Sequence, residues 1–398
     1  MPDRTRWGAV IALILAGVIV ALQIGKAAIA LPALQRELTL TLALASWNVG
    51  AYGLLGALAG LPAGIMSSLF RAKPTVLAGL ATAGIGSIAG AWADSGTLLI
   101  ATRVLEGCGF LAVTLAIPRL LRMVAALNDF NVVLPLFGSY LPLGSLTMML
   151  AGPLLLSLGW QTLWIVNGVI ALLWLPVIWC IRIDEPRTTG NATASLLPNM
   201  RAIFSTPGPI LLALAFGTYT FQYMALTGLL PTLLVDRLGL SIAAAGTIGA
   251  IAVAANALGN MSAGGLLRLG VPTWAIAAGA FTFLGAAGFG IFSDAMPVAG
   301  VAALASLSLA LTGMIPGSIY AAAPRFAPSS AALAIALGLI NQVTNLGNLT
   351  GPAALAFTVD LFGWSRAPLF FAAVAAAGLA VALGLRGALR RTPPPTST

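Results

Sequence analysis

Residues 7–30 read WGAVIALILAGVIVALQIGKAAIA, and Lys26 is the single charged residue in this run. A helix of about 20 apolar residues is long enough to cross the ~30 Å hydrocarbon core of a bilayer. The run lacks a convincing small-residue cleavage site, so we interpret it as a first membrane span and not as a removed signal peptide. This stretch therefore predicts a membrane protein.

The rest of the chain has the same apolar character. Of its 398 residues, 59% are hydrophobic and 7% are charged, whereas soluble globular proteins carry roughly 25% charged residues. Apolar runs separated by charges, proline or turn residues predict an all-α integral membrane protein with twelve transmembrane helices. The expected spans are 7–30, 43–67, 74–93, 97–122, 131–156, 161–181, 208–234, 242–266, 272–293, 296–321, 330–357 and 367–387.

The basic residues indicate an orientation, because cytoplasmic loops carry an excess of Lys and Arg. With the N-terminus inside, only Arg36, Arg237 and Arg366 face outward. We therefore expect a multi-pass protein of the inner (plasma) membrane with both termini in the cytoplasm. This bias also explains the net charge of +9, so no nucleic-acid partner is expected. The predicted cytoplasmic residues are Arg4, Arg6, Arg71, Lys73, Arg119, Arg122, Arg182, Arg187, Arg201, Arg268, Arg325, Arg386, Arg390 and Arg391.

An internal repeat relates the two halves of the chain at an offset of about 200 residues. Leu31-Pro32-Ala33-Leu34 recurs as Leu230-Pro231-Thr232-Leu233, and Gln23 corresponds to Gln222. Two halves of six spans enter the membrane in the same direction, so we expect a pseudo-two-fold axis along the membrane normal. Rocking two such bundles would expose a central cavity to one side at a time. Further matches join Leu38-Thr39 to Leu238-Gly239, Gly152-Pro153 to Gly351-Pro352, and Gly159-Trp160 to Gly363-Trp364.

The repeat and the longest polar connection predict the domain organisation. Residues 1–181 are expected to form an N-terminal six-helix bundle, and residues 182–207 a cytoplasmic linker. Residues 208–387 are expected to form a C-terminal six-helix bundle, followed by a cytoplasmic tail at 388–398.

These features resemble the major facilitator superfamily over essentially the whole chain. Arg103 followed by Gly107 and Gly109 is similar to that family's fourth-helix motif, and Gly152-Pro153 is similar to the glycine–proline of its fifth helix. The resemblance implies the major facilitator fold. Within the superfamily, Arg103–Phe110 together with Gly138–Gly144 most resembles the cyanate and nitroimidazole transporter group.

The loop between the second and third spans departs from the family pattern. Residues 64–73, GIMSSLFRAK, keep the glycine and two cations of the family signature. Ser68 occupies the position where the family has an aspartate. This departure puts in doubt the charge-relay latch that is attributed to the loop.

Three ionisable residues fall within predicted spans: Lys26, Arg103 and Glu106. Each costs about 2.5–3.5 kcal/mol at the centre of a membrane helix, so each is a candidate site residue. Arg103 and Glu106 share a helical face, either as a structural pair or with Arg103 binding substrate and Glu106 carrying a proton. Lys26 either snorkels to the outer interface or binds substrate in a cavity. Because Glu106 already lies near Arg103, we expect a bound anion to be the partner of Lys26.

Uncharged polar side chains form a second group of substrate-binding candidates. They concentrate in spans one, two, five, seven, eight and eleven, which face the cavity in the family that this chain resembles. Each could also form a simple interhelical hydrogen bond, worth about 0.6 kcal/mol on average. The group comprises Gln23, Asn48, Tyr52, Tyr140, Tyr219, Gln222, Tyr223, Asn256, Asn341 and Asn345.

The leading functional hypothesis is a secondary transporter for a small anionic solute, because two cations outnumber one acid within the spans. A multidrug exporter for lipophilic compounds and a non-transporting membrane sensor are the alternatives. An enzyme is not expected, since the chain has no histidine and few acidic residues. The sequence has no phosphate-binding Gly-x-x-x-x-Gly-Lys-Ser/Thr loop, which argues against ATP-driven pumping. We expect no cofactor and no metal site, and a monomer in the lipid bilayer. The proton is the candidate coupling ion, and the sequence leaves open whether transport is coupled to it.

Overall fold

The computed structural model of this chain describes residues 4–66, 70–183, 185, 196–327 and 329–391. Within these ranges the regular elements are helices, and no strand occurs. The α-helices are α1 Trp7–Glu37, α2 Leu42–Gly50, α3 Leu54–Met66, α4 Ala72–Gly90, α5 Gly96–Val124, α6 Phe130–Gly138, α7 Tyr140–Leu156, α8 Trp160–Cys180, α9 Leu196–Phe204, α10 Pro207–Thr232, α11 Ile242–Arg268, α12 Thr273–Ile291, α13 Val298–Ala322, α14 Ser330–Phe362 and α15 Ala367–Arg391.

In the described part of the chain, eleven helical stretches are long and apolar enough to cross a membrane. They correspond to every predicted span except the third. The third is a helix of 19 residues, Ala72–Gly90, whose hydropathy is lowered by Lys73, Pro74 and several glycines. The protein is therefore a multi-pass membrane protein, and the count of twelve spans stays a prediction.

Several helix boundaries differ from the predicted ones. α1 continues past Pro32 to Glu37 and keeps this proline inside the helix, since membrane helices tolerate internal proline. The Arg36 Nε donates to the Pro32 carbonyl at 3.1 Å. The predicted linker contains α9, whose Ile203 is fully buried against Ala332 and Ile335. The predicted tail begins inside α15, which ends at Arg391.

Two pairs of repeat positions share an unusual backbone conformation. Thr39 has a φ of 50° and its partner Gly239 has a φ of 66°. Gly159 and Gly363, which each precede a tryptophan, have φ values of 99° and 75°. Glycine reaches this left-handed region without steric cost. The sequence repeat is thus matched in local geometry, while the pseudo-two-fold relation between bundles stays a prediction.

The chain divides into two compact units. One comprises Met1–Gly56, Met66–Thr189 and Gly228–Ala250, and the other comprises Ala57–Ile65, Gly190–Thr227 and Ile251–Thr398. In the first unit, α1 packs against α5, α7 and α8, and α4 packs against α5 and α8. In the second unit, α12 packs against α13 and α15. The division of the chain into six-helix bundles at 1–181 and 208–387 stays a prediction.

Glu185 caps the N-terminus of α4 in the first unit. Its carboxylate accepts hydrogen bonds from the backbone N–H of Ala72 at 2.5 Å and of Lys73 at 2.7 Å. A carboxylate at a helix N-terminus satisfies free amides and complements the helix dipole. The Lys73 Nζ in turn donates to the carbonyls of Trp179 and Ile181, each at 2.8 Å. Ser68, on which the prediction about the loop latch rests, lies outside the described residues.

Candidate functional site

A fully buried charge cluster joins four helices of the first unit. The Lys26 Nζ on α1 lies 3.0 Å from the Glu106 Oε1 on α5 and donates to the Ser87 Oγ on α4 at 2.6 Å. The Ser87 hydroxyl donates to the Trp164 carbonyl on α8 at 2.7 Å. The Lys26 Nζ also lies 4.6 Å from the centroid of the Trp164 ring, which adds a cation–π contact.

Glu106 holds a second cation through its other carboxylate oxygen. The Arg103 Nη1 forms an ion pair with the Glu106 Oε2 one turn further along α5. The Arg103 Nε donates to the backbone carbonyl of Asn48 at 2.8 Å. Within the described residues, the Arg103 Nη2 is buried without a hydrogen-bond partner. One carboxylate therefore bridges two cations, and one guanidinium nitrogen retains an unused donor.

Glycines allow the helices to approach closely enough to form this cluster. A methyl group at Gly86 would press against the backbone of Glu106, and one at Gly107 would overlap the carbonyl of Tyr52. A methyl group at Gly109 would likewise overlap the carbonyl of Gly79. Small residues at these positions let neighbouring membrane helices approach closely.

The cluster corrects one prediction and supports another. The expectation that Lys26 lacks a protein counter-charge is wrong, because α1 and α5 pack so that Glu106 reaches Lys26 as well as Arg103. The snorkelling alternative does not describe this structure either, since the Lys26 side chain is 0% exposed. The predicted proximity of Arg103 and Glu106 is confirmed.

The sequence interpretation missed two members of the cluster, Ser87 and Trp164. Ser87 lies in a small-residue stretch, GIGSIAG at 84–90, where a serine suggests close packing more than ion binding. Trp164 lies within the predicted span 161–181, and a tryptophan in an apolar run carries no signal for cation binding. A polar residue on a glycine-rich helix face was the available signal for Ser87.

The other polar candidates of the first unit surround this cluster less directly. Asn48 contributes its backbone carbonyl to Arg103, while its own Nδ2 donates to the Ala45 carbonyl at 3.3 Å. Tyr52 is buried, with its ring edge-on to Phe110 at a centroid distance of 5.4 Å. The half-buried Tyr140 stacks on Phe137 at 4.9 Å.

In the second unit, aromatic side chains of α10 contact an amide side chain of α11. The Tyr219 hydroxyl donates to the Asn256 Oδ1 at 3.1 Å, and the Asn256 Nδ2 donates to the Leu309 carbonyl at 2.9 Å. The ring of Tyr219 lies 5.7 Å from that of Tyr223 and 5.8 Å from that of Phe216.

Asn341 and Asn345 bond to each other within α14, because the Asn345 Nδ2 donates to the Asn341 carbonyl at 2.8 Å.

The two glutamines that correspond in the repeat share an unusual environment. Gln23 is 2% exposed and Gln222 is 0% exposed. Among the described residues, neither amide atom of either side chain has a hydrogen-bond partner. Buried polar groups in proteins are nearly always hydrogen-bonded, so each such exception needs an explanation. A bound polar molecule would supply one.

The sequence model of the Major Facilitator Superfamily matches residues 13–337, and the chain belongs to that family. Members of this family are transporters and not enzymes. The cyanate and nitroimidazole subgroup stays a prediction.

Two curated relatives share part of the sequence. The puromycin resistance protein pur8 of Streptomyces alboniger is 30% identical over 203 residues, which cover 50% of this chain and 39% of that protein. The uncharacterized MFS-type transporter Rv1250 of Mycobacterium tuberculosis is 29% identical over 174 residues, which cover 43% of this chain and 30% of that protein. The matched region thus spans well under half of each relative.

Solved structures of transporters share the fold. A bacterial homologue of the human lysosomal transporter Spinster, in an inward-facing and unoccupied conformation, has a TM-score of 0.77 at 16% identity, with both chains covered fully. A D-xylose–proton symporter has a TM-score of 0.73 at 15% identity, covering 95% of this chain and 97% of its own. At these identities the likeness concerns the fold alone.

Proposed function

We propose that this protein is a secondary transporter that carries a small anionic solute across the inner membrane by alternating access. In this proposal Lys26 and Arg103 attract the solute, and Glu106 takes and releases a coupled proton. The single observation that carries the proposal is the buried cluster in which one carboxylate is shared by two cations.

The charges of the cluster favour an anion. Two cations and one carboxylate leave a net single positive charge among fully buried side chains, and uncompensated charge is expensive inside a membrane. A monoanionic solute would neutralise it. The unused Arg103 Nη2 donor and the cation–π-bound Lys26 supply charged donors for a carboxylate or a similar oxyanion.

The shared carboxylate suggests how a proton could be coupled. An entering anion competes with Glu106 for Lys26, because both would occupy the same ammonium. A proton on Glu106 makes the side chain neutral and weakens its hold on Lys26. The anion and the proton would therefore occupy the cluster together and cross the membrane in the same direction. Whether the protein imports or exports the pair depends on the gradients.

The burial of the cluster supports alternating access. The side chains of Lys26, Arg103 and Glu106 are 0% exposed, so a solute can reach them only after the surrounding helices move. Gln23 lies on α1 one turn before Lys26, and its unpaired amide could bind a polar group of the same solute. Gln222, its repeat partner, offers an equivalent unpaired amide in the second unit.

A ligand screen with the purified full chain tests this function. Thermal stability would be measured with small carboxylates and inorganic anions, with size-matched neutral and cationic compounds, and with puromycin. A ligand at 100 times its Kd stabilises by about 2.7 kcal/mol. We expect an anion to stabilise the wild type and to lose this effect in the Lys26→Gln variant. Stabilisation by puromycin without any anion response would contradict the proposal.

A second candidate, an exporter of lipophilic compounds, rests on a different observation. The curated relative matched over half of this chain is named for puromycin resistance. The aromatic group of Phe216, Tyr219 and Tyr223 has the flat apolar surfaces that suit an aromatic drug. Loss of puromycin-induced stabilisation in a Tyr219→Ala variant, but not in Lys26→Gln, would favour this candidate.

A further inference from the structure

A cavity of about 390 Å³ lies in the second unit, remote in sequence from the charge cluster. Its walls come from the turn between α11 and α12, the segment that follows α13, and the last turns of α15. On the topology that the Lys and Arg distribution predicts, all three segments lie at the cytoplasmic surface. The cavity therefore lies where a span meets the lipid headgroups.

Three arginines line this cavity: Arg325, Arg386 and Arg390. Among the described residues that line it, none is acidic. The Arg386 guanidinium lies over the Trp274 ring, 4.8 Å from the centroid. Its Nε atom is buried and has no hydrogen-bond partner within the described residues. The stacked guanidinium is thus held in place with a donor unused.

The N-terminus of α12 adds partial positive charge to the same cavity. Pro272, the N-cap residue, has no side chain that could accept from the first turn, and that turn contains no acidic residue. Free backbone N–H groups at a helix N-terminus favour an anion. Thr273 and Trp274, the first two residues of α12, both line the cavity.

The cavity also has apolar walls. Leu267, Val271 and Leu389 line it beside the arginines. Guanidinium groups match the geometry of phosphate oxygens in a bidentate fashion, while apolar walls suit the glycerol and upper acyl region of a lipid. Basic pockets between membrane helices on the cytoplasmic side bind anionic headgroups.

We propose that this cavity binds the phosphodiester headgroup of an anionic phospholipid from the cytoplasmic leaflet. The bound lipid would connect the start of α12 to the end of α15 through Trp274, Arg386 and Arg390. The site is independent of the proposed transport function, because it uses none of the residues of the charge cluster.

Native mass spectrometry of the full-length protein tests this proposal. The protein would be titrated in detergent with phosphatidylglycerol, with phosphatidylcholine of the same acyl chains, and with free glycerol phosphate. Arg390→Gln is the main variant because Arg390 is exposed, so its replacement should leave the fold intact. Arg391→Gln is the matched control, since Arg391 is the next residue and does not line the cavity. Arg386→Lys tests whether charge without a planar guanidinium is sufficient.

We expect one phosphatidylglycerol to bind the wild type at least tenfold more tightly than phosphatidylcholine. Arg390→Gln should weaken this binding about tenfold or more, as expected for loss of a charge-assisted hydrogen bond, whereas Arg391→Gln should not change it. Arg386→Lys should weaken it to an intermediate degree. Equal losses in Arg390→Gln and Arg391→Gln would overturn the proposal, because they would show attraction to surface charge alone. Binding of glycerol phosphate as tight as that of the lipid would also overturn it and would indicate a site for soluble phosphate compounds.

Discussion

The Lys26 ammonium and the Glu106 carboxylate lie 3.0 Å apart with both side chains fully buried. Because Glu106 also pairs with Arg103, this one carboxylate is the counter-charge of both cations. Experiments on the cluster must therefore separate the transport role of Glu106 from its role in stability.

Replacing Glu106 by glutamine should uncouple transport from the proton gradient. A glutamine cannot exchange a proton, but it leaves Lys26 free for an anion. We expect solute exchange in proteoliposomes to continue, while accumulation driven by an imposed pH gradient is lost. Glu185→Gln is the control, because it makes the same chemical change outside the cluster. Accumulation by Glu106→Gln at the wild-type level would leave Glu106 as a structural partner only.

Replacing Lys26 should separate charge from hydrogen bonding. Lys26→Gln should weaken anion binding by about 1.5–3 kcal/mol, the range for hydrogen bonds to charged groups, or roughly ten- to hundred-fold. Lys26→Arg should retain part of the affinity because the charge persists. Ser87→Ala removes a neutral hydrogen-bond partner of Lys26 but keeps the Lys26 charge, so it should weaken anion binding less than Lys26→Gln does. Isothermal titration of an identified anion would compare these variants with the wild type. Equal affinities of the wild type, Lys26→Gln and Lys26→Arg would show that Lys26 is not part of the substrate site.

A double-mutant cycle should show that Lys26 and Glu106 stabilise the fold together. Glu106→Gln leaves two buried cations without a counter-charge and should destabilise by about 3–5 kcal/mol. Lys26→Gln leaves the balanced Arg103–Glu106 pair and should cost less. The double variant should be more stable than Glu106→Gln alone, with a coupling energy of about 0.5–3 kcal/mol. Strictly additive changes in the free energy of unfolding would show that the contact is energetically neutral.

Glu185→Gln should destabilise the first unit by about 1 kcal/mol, since it removes a charged cap from the N-terminus of α4. Thermal unfolding in detergent measures this change. Glu37→Gln is a suitable control, because Glu37 is exposed at the C-terminal end of α1, where a negative charge is unfavourable. A larger loss in Glu37→Gln than in Glu185→Gln would refute the capping role.

Cysteine labelling should establish the orientation. In a background without Cys108 and Cys180, an impermeant thiol reagent added to intact cells should modify Arg36→Cys but not Arg268→Cys. Both positions are exposed, so accessibility within the fold does not limit the reaction. Permeabilised cells serve as the control in which both variants react. The reverse labelling pattern would place both termini outside.

The spans and the three important charges could be predicted because both depend on local sequence. An apolar run long enough to cross a bilayer is visible by itself, and a charge within it is rare enough to stand out, as Lys26 and Glu106 do. The partner of Lys26 could not be predicted in this way. Its contacts with Ser87 and Glu106 span 61 and 80 residues, and they depend on how α1, α4 and α5 pack.

Helix ends were predicted less well, for a physical reason. The sequence signals of a span concern the bilayer core, whereas α1 continues beyond that core to Glu37 with Arg36 bonded back to Pro32. Inside the predicted linker, α9 is stabilised by burying Ile203 against α14. Neither effect can be predicted from hydropathy alone.

The distribution of the cluster over α1 and α5 has a consequence for biogenesis. α1 carries Lys26, and α5 carries Arg103 and Glu106, so the two helices leave the ribosome far apart in time. Each enters the bilayer with ionised groups that cost about 2.5–3.5 kcal/mol apiece until the ion pairs form. Attraction between Lys26 and Glu106 would then draw α5 to α1 during insertion. The same three residues would guide assembly of the first unit before any solute is transported.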